Sequence, residues 1–200
     1  DDYLYGTDFM DSLNGSEGND HIHGYGGTDL LTGGKGNDYL DGGENNDGIG
    51  GNEGDDEIHG GSGNDAMWGD AGNDIIYGES GQDFLIGGSG SDMLYGGDDE
   101  DTYIFSIGDG RDTVIDLGAN NNGDVISFKG NITKDSLILS KNGNDLVITF
   151  KDNNTDRITI KDQYAGGTNG IENLRFANNT QIPLAALNIG ITGTNASDIL

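Results

Sequence analysis

The sequence predicts an all-β protein: a parallel β-roll, a β-helix-like solenoid of nine-residue repeats, followed by a β-rich capping segment. Three observations predict it. Residues 6–104 fall into eleven unbroken rows of nine, with Gly first and Asp sixth in every row. The eighth position of each row is large and apolar. Residues 105–190 lose that period and alternate apolar with polar, as half-buried strands do. The expected organisation is a roll over 1–104, a capping domain over 105–190, and the start of a further repeat over 191–200.

The 200 residues carry 36 Asp and Glu against 9 Lys and Arg, a net charge of -27, and only 32% of them are apolar. Such a balance ordinarily leaves a chain disordered; the periodicity argues otherwise. The acid excess argues against a nucleic-acid partner, which needs a basic face, and against adsorption to an anionic membrane. No apolar run approaches the ~18 residues of a membrane-crossing helix, and no basic-then-apolar stretch opens the chain. With no Cys, disulfides and thiol chemistry are excluded. The charge is also localised. Residues 6–104 hold 23 acids and one base, Lys35, whereas residues 105–200 hold 11 acids and 8 bases. Two classes of function stay open at this point: a metal-dependent structural module, or an acidic enzyme with a carboxylate site.

The rows run GTDFMDSLN, GSEGNDHIH, GYGGTDLLT, GGKGNDYLD and so on to GGDDEDTYI. Gly stands fourth in eight of them, replaced by Phe9, Asn45 and Asp99. The frame extends backward over Asp2–Tyr5 and reappears at Gly193-Thr-Asn-Ala-Ser-Asp198-Ile-Leu200, so the chain reads as a fragment of a longer protein. Six Gly-rich residues suit a tight turn, because Gly tolerates positive φ. The remaining three suit a short strand with its middle residue inward. One such unit cannot bury its apolar residue alone; stacked units can, with two nonads per coil.

Aspartates 18 positions apart then stand one coil apart, at the strand spacing of roughly 4.8 Å. They form two ladders: Asp20, Asp38, Asp56, Asp74 and Asp92, and Asp11, Asp29, Asp47, Asp65, Asp83 and Asp101. Carboxylates that close repel, and a hard divalent cation between turns removes the repulsion. Calcium, which takes 6–8 oxygens in flexible geometry, fits better than magnesium, which keeps its waters. Eleven equivalent aspartates suit repeated ion ligation better than a single acid–base pair.

GGKGNDYLD and GGSGNDAMW resemble the RTX (repeats-in-toxin) haemolysin-type nonapeptide GGxGxDxUx, a calcium-binding β-roll repeat. Tyr103-Ile-Phe105, Asp112-Thr-Val-Ile-Asp116, Asp124-Val-Ile-Ser-Phe128, Asp145-Leu-Val-Ile148, Arg157-Ile-Thr-Ile160 and Ile171-Glu-Asn-Leu-Arg-Phe176 are similar to the RTX-associated C-terminal domain. The resemblance implies a right-handed parallel roll in which each ion bridges adjacent coils. One turn would give the carbonyls of its first and third residues, the other those of its second and fourth, and both the sixth-position carboxylate. The implied ligand turns carry the aspartates above together with Gly15, Gly18, Gly24, Gly27, Gly33, Gly36, Gly42, Gly51, Gly54, Gly60, Gly63, Gly69, Gly72, Gly78, Gly81, Gly87 and Gly90. Nine gaps separate the eleven aspartates, so about seven to nine calcium ions are expected. The Asp11–Asp29 gap is the weakest, because Phe9-Met10 replaces Gly-Asn.

The resemblance further implies a non-catalytic module of a large secreted bacterial protein, toxin or adhesin, that leaves by the type I secretion machinery and folds on external calcium. Host-cell surfaces or glycans are the targets it implies for the parent protein. The alternative is an accessory module of an exported enzyme such as a protease, lipase or alginate epimerase. Ice binding is disfavoured, since no recurrent Thr occupies the third position. His21, His23 and His59 suit a solvated flank better than a zinc site, because His23 and His59 stand two coils apart.

Eight strands are expected in the second half: 102–107, 112–117, 124–128, 136–140, 145–150, 156–161, 171–176 and 181–184, mostly antiparallel. Helical turns are expected at most near 132–135 or 162–165. The outward positions turn apolar late in the roll, at Trp68, Ile75, Tyr77, Phe84, Ile86, Met93, Tyr95 and Ile104. A patch of that size implies a cover, for which residues 105–190 are the expected source.

Overall fold

The computed structural model describes residues 1–118, 123–165, 170–187 and 198–199. Each nonad contributes one strand: β1 Tyr3–Tyr5, β2 Ser12–Glu17, β3 His21–Gly26, β4 Leu30–Lys35, β5 Tyr39–Glu44, β6 Gly48–Glu53, β7 Glu57–Ser62, β8 Ala66–Gly72, β9 Ile75–Ser80, β10 Phe84–Gly90 and β11 Met93–Asp98. Successive strands go to opposite sheets, and each pairs in parallel with the strand two ahead. The register is 18 residues, as in Leu13↔Leu31 and Ile22↔Leu40. Eighth-position side chains therefore stack into the space between the sheets. Ile22, Leu31, Leu40, Ile49, Ile58, Met67, Ile76, Leu85, Leu94 and Tyr103 are all fully buried.

Strands β2 to β11 are six or seven residues long, not three. Pairing continues through the first three residues of each Gly-rich stretch, as Ser16↔Gly34 and Glu17↔Lys35 show. The strand bends at its buried first-position Gly, and the next residue takes a positive φ. That residue is Gly34 or Gly43 in some rows and Ser16, Tyr25, Asn52, Asp70 or Glu79 in others. Only positions four to six are left as the turn.

The two sheets run on past residue 104 without a break. β12 Thr102–Phe105, β13 Arg111–Ile115, β14 Val125–Phe128, β15 Leu137–Asn142, β16 Asp145–Phe150, β17 Asn153–Ile160, β18 Asn173–Arg175 and β19 Gln181–Pro183 complete the expected set. The expectation of antiparallel strands holds only in part. β13 and β17 extend one sheet in parallel from β11, and β14 and β18 extend the other from β12. The coil merely lengthens, from Met93↔Thr113 to Thr102↔Val125. β15, β16 and β17 then pair antiparallel, as do β18 and β19. Of residues 191–200, only β20 Asp198–Ile199 is described; it pairs antiparallel with β15, and the rest of the expected further repeat lies outside the described residues. Short 3-10 turns occur at Lys134–Ser136 and Leu184–Ala186. Among the described residues no helix is long and apolar enough to cross a membrane.

The added strands lengthen the stack along its axis, so they do not cover the flank. Trp68, Phe84 and Met93 remain 38%, 49% and 37% exposed. The outward rings pack instead on one another along the ladder, Tyr77 on Tyr95 with centroids 4.7 Å apart. The second half does bring a thicker core. Phe128 meets Phe176 and Phe150 at 5.5 and 6.2 Å, beside buried Leu139, Ile148, Ile158 and Leu174. A roll nonad buries one such side chain, a gain of about 1.5–3 kcal/mol.

Candidate metal centre

Each turn places its sixth-position Asp between coils, where the strand leaving the turn begins. The Asp N–H donates to Oδ1 of the Asp one coil ahead: Asp20 to Asp38 at 2.7 Å, Asp38 to Asp56 at 2.8 Å, Asp56 to Asp74 at 2.9 Å, with the same bond linking Asp29, Asp47, Asp65, Asp83 and Asp101. One oxygen of each carboxylate is thereby used. The other has no protein partner: Oδ2 of Asp20, Asp29, Asp38, Asp47, Asp56, Asp65, Asp74, Asp83, Asp92 and Asp101 is buried and unbonded.

The glycines show where those oxygens point. A β-carbon built on Gly42 would stand 2.5 Å from Asp47 Oδ2 and 2.7 Å from the Gly60 carbonyl oxygen. On Gly60 it would stand 2.6 Å from Asp65 Oδ2 and 2.9 Å from the Gly78 carbonyl. Gly15, Gly24, Gly33, Gly51, Gly69 and Gly78 repeat the arrangement with the carbonyl 18 residues ahead, and at Gly87 the Asp92 carboxylate fills it. First-position Gly is needed here for space: a carboxylate oxygen and a carbonyl oxygen from neighbouring coils converge where its side chain would be.

Fourth-position Gly is needed for conformation. Gly18, Gly27, Gly36, Gly54, Gly63, Gly72, Gly81 and Gly90 have φ between 120° and 155°, with Asn45 and Asp99 at 77°. In most of these turns the fourth-position N–H donates to the third-position carbonyl one coil ahead, as Gly36 does to Glu53 at 2.8 Å.

Asp11 departs from the pattern. Its Oδ2 accepts from Thr7 N at 2.6 Å and Thr7 Oγ1 at 2.8 Å, while Phe9 and Met10 are exposed.

Burial dominates the electrostatics. It pushes the carboxyls up, to about 6 for Asp56 and Asp65, about 7 for Asp47, Asp74 and Asp83, and about 8 for Asp101, with the backbone N–H bonds opposing the rise. Neighbouring aspartates add to it, Asp38 on Asp56 for example. Among the described residues no three His, Asp or Glu side chains converge as a metal-binding group. Each gap instead offers two carboxylates and backbone carbonyls. That all-oxygen set, with an unbonded buried oxygen per carboxylate, fits a hard divalent cation of the calcium type.

Two features escaped the sequence reading. Asp112 and Asp124 are further rungs, accepting from Asp92 N at 3.1 Å and Asp101 N at 2.8 Å. Their Asp-x-apolar pattern, Asp112-Thr-Val and Asp124-Val-Ile, was the available signal. The fifth positions form a second, outer ladder, in which Asn37 N donates to Asn19 Oδ1 and Asn73 N to Asp55 Oδ1. The expected histidines line a flank, His23 beside Asp41 and His59 between Glu57 and Glu79.

Comparison with known proteins finds two families. The RTX calcium-binding nonapeptide repeat (4 copies) matches residues 5–40, 14–49, 23–57, 50–85 and 77–114. The haemolysin-type calcium binding protein related domain matches residues 145–186. Among solved structures, the chain is similar to the extracellular lipase LipA from Serratia marcescens, at 18% identity and a TM-score of 0.42 over 79% of this chain and 37% of the lipase. It is also similar to the AlgE6R3 subunit of the Azotobacter vinelandii mannuronan C5-epimerase, at 23% identity and a TM-score of 0.30 over 78% of this chain and 87% of that one. The chain thus spans little more than a third of the lipase's length. No curated protein matches.

Proposed function

Because the chain belongs to the RTX calcium-binding nonapeptide repeat family, we propose that it is a non-catalytic module whose folding is driven by extracellular calcium. The row of buried, unbonded Oδ2 atoms carries this reading. The proposed ligands are those carboxylates and the turn carbonyls around the first- and fourth-position glycines, in the gaps of the two ladders. Bound calcium supplies the positive charge that the paired carboxylates need in order to be buried ionised. The aspartate N–H bonds fix the spacing of successive turns, and the glycines keep the gap open.

Without the ion the repeats hold 23 acids against one base and bury one apolar side chain per nonad, which favours the unfolded chain. Extracellular modules bind calcium in the roughly 10⁻⁴–10⁻³ M range, so the fold would form outside the cell and not in the cytosol. This suits a secreted or cell-surface protein of the toxin or adhesin class, exported by type I machinery as a loose chain. A crystal grown in saturating calcium tests it: about seven to nine ions are expected between successive turns, and fewer than about five would contradict the pairing of the ladders.

A further inference from the structure

One rung of the odd ladder lies beyond the repeats. Asp101 donates its N–H to Oδ1 of Asp124 at 2.8 Å, across a coil lengthened to 23 residues. In the regular gaps the space beside a first-position Gly is closed by two oxygens, the Asp Oδ2 of its own turn and the Gly carbonyl one coil ahead. At Gly96 no further first-position Gly follows. The Asp101 Oδ2 is in place, and the second oxygen is the hydroxyl of Tyr103.

Tyr103 is the one aromatic residue at an eighth position, where the other ten rows have Leu, Ile or Met. Its side chain is fully buried, so its hydroxyl is carried into the core. A purely apolar role would be filled by Leu without burying a polar atom, whose desolvation costs about 1–3 kcal/mol. Asp116 lies beside the hydroxyl and beside Asp124. Asp101, Asp116 and Asp124 are each at most 1% exposed, so three carboxylates are buried at this end of the ladder against two in a regular gap.

We propose that Asp101, Tyr103 and Asp124 form a further calcium site outside the nonapeptide array, with the tyrosine hydroxyl standing beside Gly96 where the repeats set a glycine carbonyl. This rests on the calcium reading of the repeats. A phenol oxygen is a neutral, hard donor like the carbonyl it replaces, and calcium accepts mixed oxygen ligands in irregular geometry. Asp116, beside the hydroxyl, adds negative charge to the site. The competing arrangement is a proton shared between Asp116 and Asp124 with no ion present.

Counting calcium bound to the full chain, by equilibrium dialysis or native mass spectrometry, separates the two. Tyr103→Phe keeps the core volume and removes only the oxygen. It should lose one ion relative to the wild type while its far-UV spectrum in saturating calcium stays unchanged. Asp124→Asn should lose the same single ion, and it decides the matter if Tyr103→Phe does not fold. Terbium in place of calcium should show tyrosine-sensitised luminescence that drops in Tyr103→Phe and persists in Asp56→Asn. An unchanged ion count in the folded variants overturns the site. A wild-type chain that binds no calcium overturns instead the reading on which the site rests.

Discussion

The amide N–H of Asp56 donates to Oδ1 of Asp74, 2.9 Å away and one coil ahead. The bond divides the labour of the carboxylate: Oδ1 ties two coils together, and Oδ2, buried and unbonded, is left for something the protein does not supply. Removing Oδ2 while keeping Oδ1 therefore tests the division. Asp56→Asn should raise the calcium midpoint of folding by about tenfold or more, the ~1.4 kcal/mol scale of one lost charge-assisted contact. Asp11→Asn should change little, because Thr7 already occupies that oxygen. Calcium titrations followed by circular dichroism compare the two; equal effects would contradict the assignment.

The glycines divide in the same way. Gly60→Ala would place a methyl group 2.6 Å from Asp65 Oδ2 and 2.9 Å from the Gly78 carbonyl, and the coils must shift to admit it. It should lower the melting temperature in calcium. Gly50 faces open space, with Asn52 Nδ2 at 3.7 Å as its nearest neighbour, and its φ is ordinary. Gly50→Ala should be neutral or stabilise by about 0.4–1 kcal/mol, through the unfolded state. A destabilising Gly50→Ala would show that the bend at this row has been misread.

Acid should favour the metal-free roll. In the fold, Asp47, Asp74 and Asp83 titrate near 7, against 3.8 for an ordinary Asp, because burial penalises the charged form. The folded state thus binds more protons than the unfolded chain between about pH 4 and pH 7, and its stability falls as pH rises through that window. With chelator present, lowering the pH from about 7.5 to about 4.5 should increase β-structure. With calcium the dependence reverses, since ligation needs the ionised carboxylates, and the calcium midpoint should climb as pH falls. A chelated chain that gains no β-structure in acid would contradict the raised carboxyls.

How much of this was legible in the sequence depended on the frame of nine. Wherever the frame holds, it names the core line from Ile22 to Tyr103 and both aspartate ladders. Where the coil lengthens to 20 and 23 residues, Asp112 and Asp124 fall out of frame and were missed, although their neighbours Val114 and Ile126 continue the core. The strand length was misjudged because the positive φ after the buried Gly is carried by Tyr25 and Glu79 as readily as by Gly43, and those residue types do not announce it. The apolar flank was read as a surface awaiting a cover, but ladder stacking of Tyr77 on Tyr95 gives its rings partners without one.

The trailing strands should act as the end of the stack from which folding spreads. They continue both sheets and add the Phe128 cluster beyond the last repeat. At the other end, Leu4 and Leu13 are only partly buried. Deleting residues 105–200 should raise the calcium concentration needed for folding, whereas deleting residues 1–32 should cost little. Trp68, the single tryptophan, is 38% exposed on the flank and reports the transition by fluorescence. A fragment 1–104 that folds at the same calcium concentration as the full chain would remove the capping role.

The most direct measurement of the whole account is the far-UV circular dichroism of the full chain at neutral pH, first with chelator and then with calcium added. With buried carboxylates unbonded along both ladders and binding energy supplying the folding energy, the account predicts a largely unfolded spectrum in chelator and a β-rich one in millimolar-range calcium. A repeat region equally folded in both conditions would contradict it.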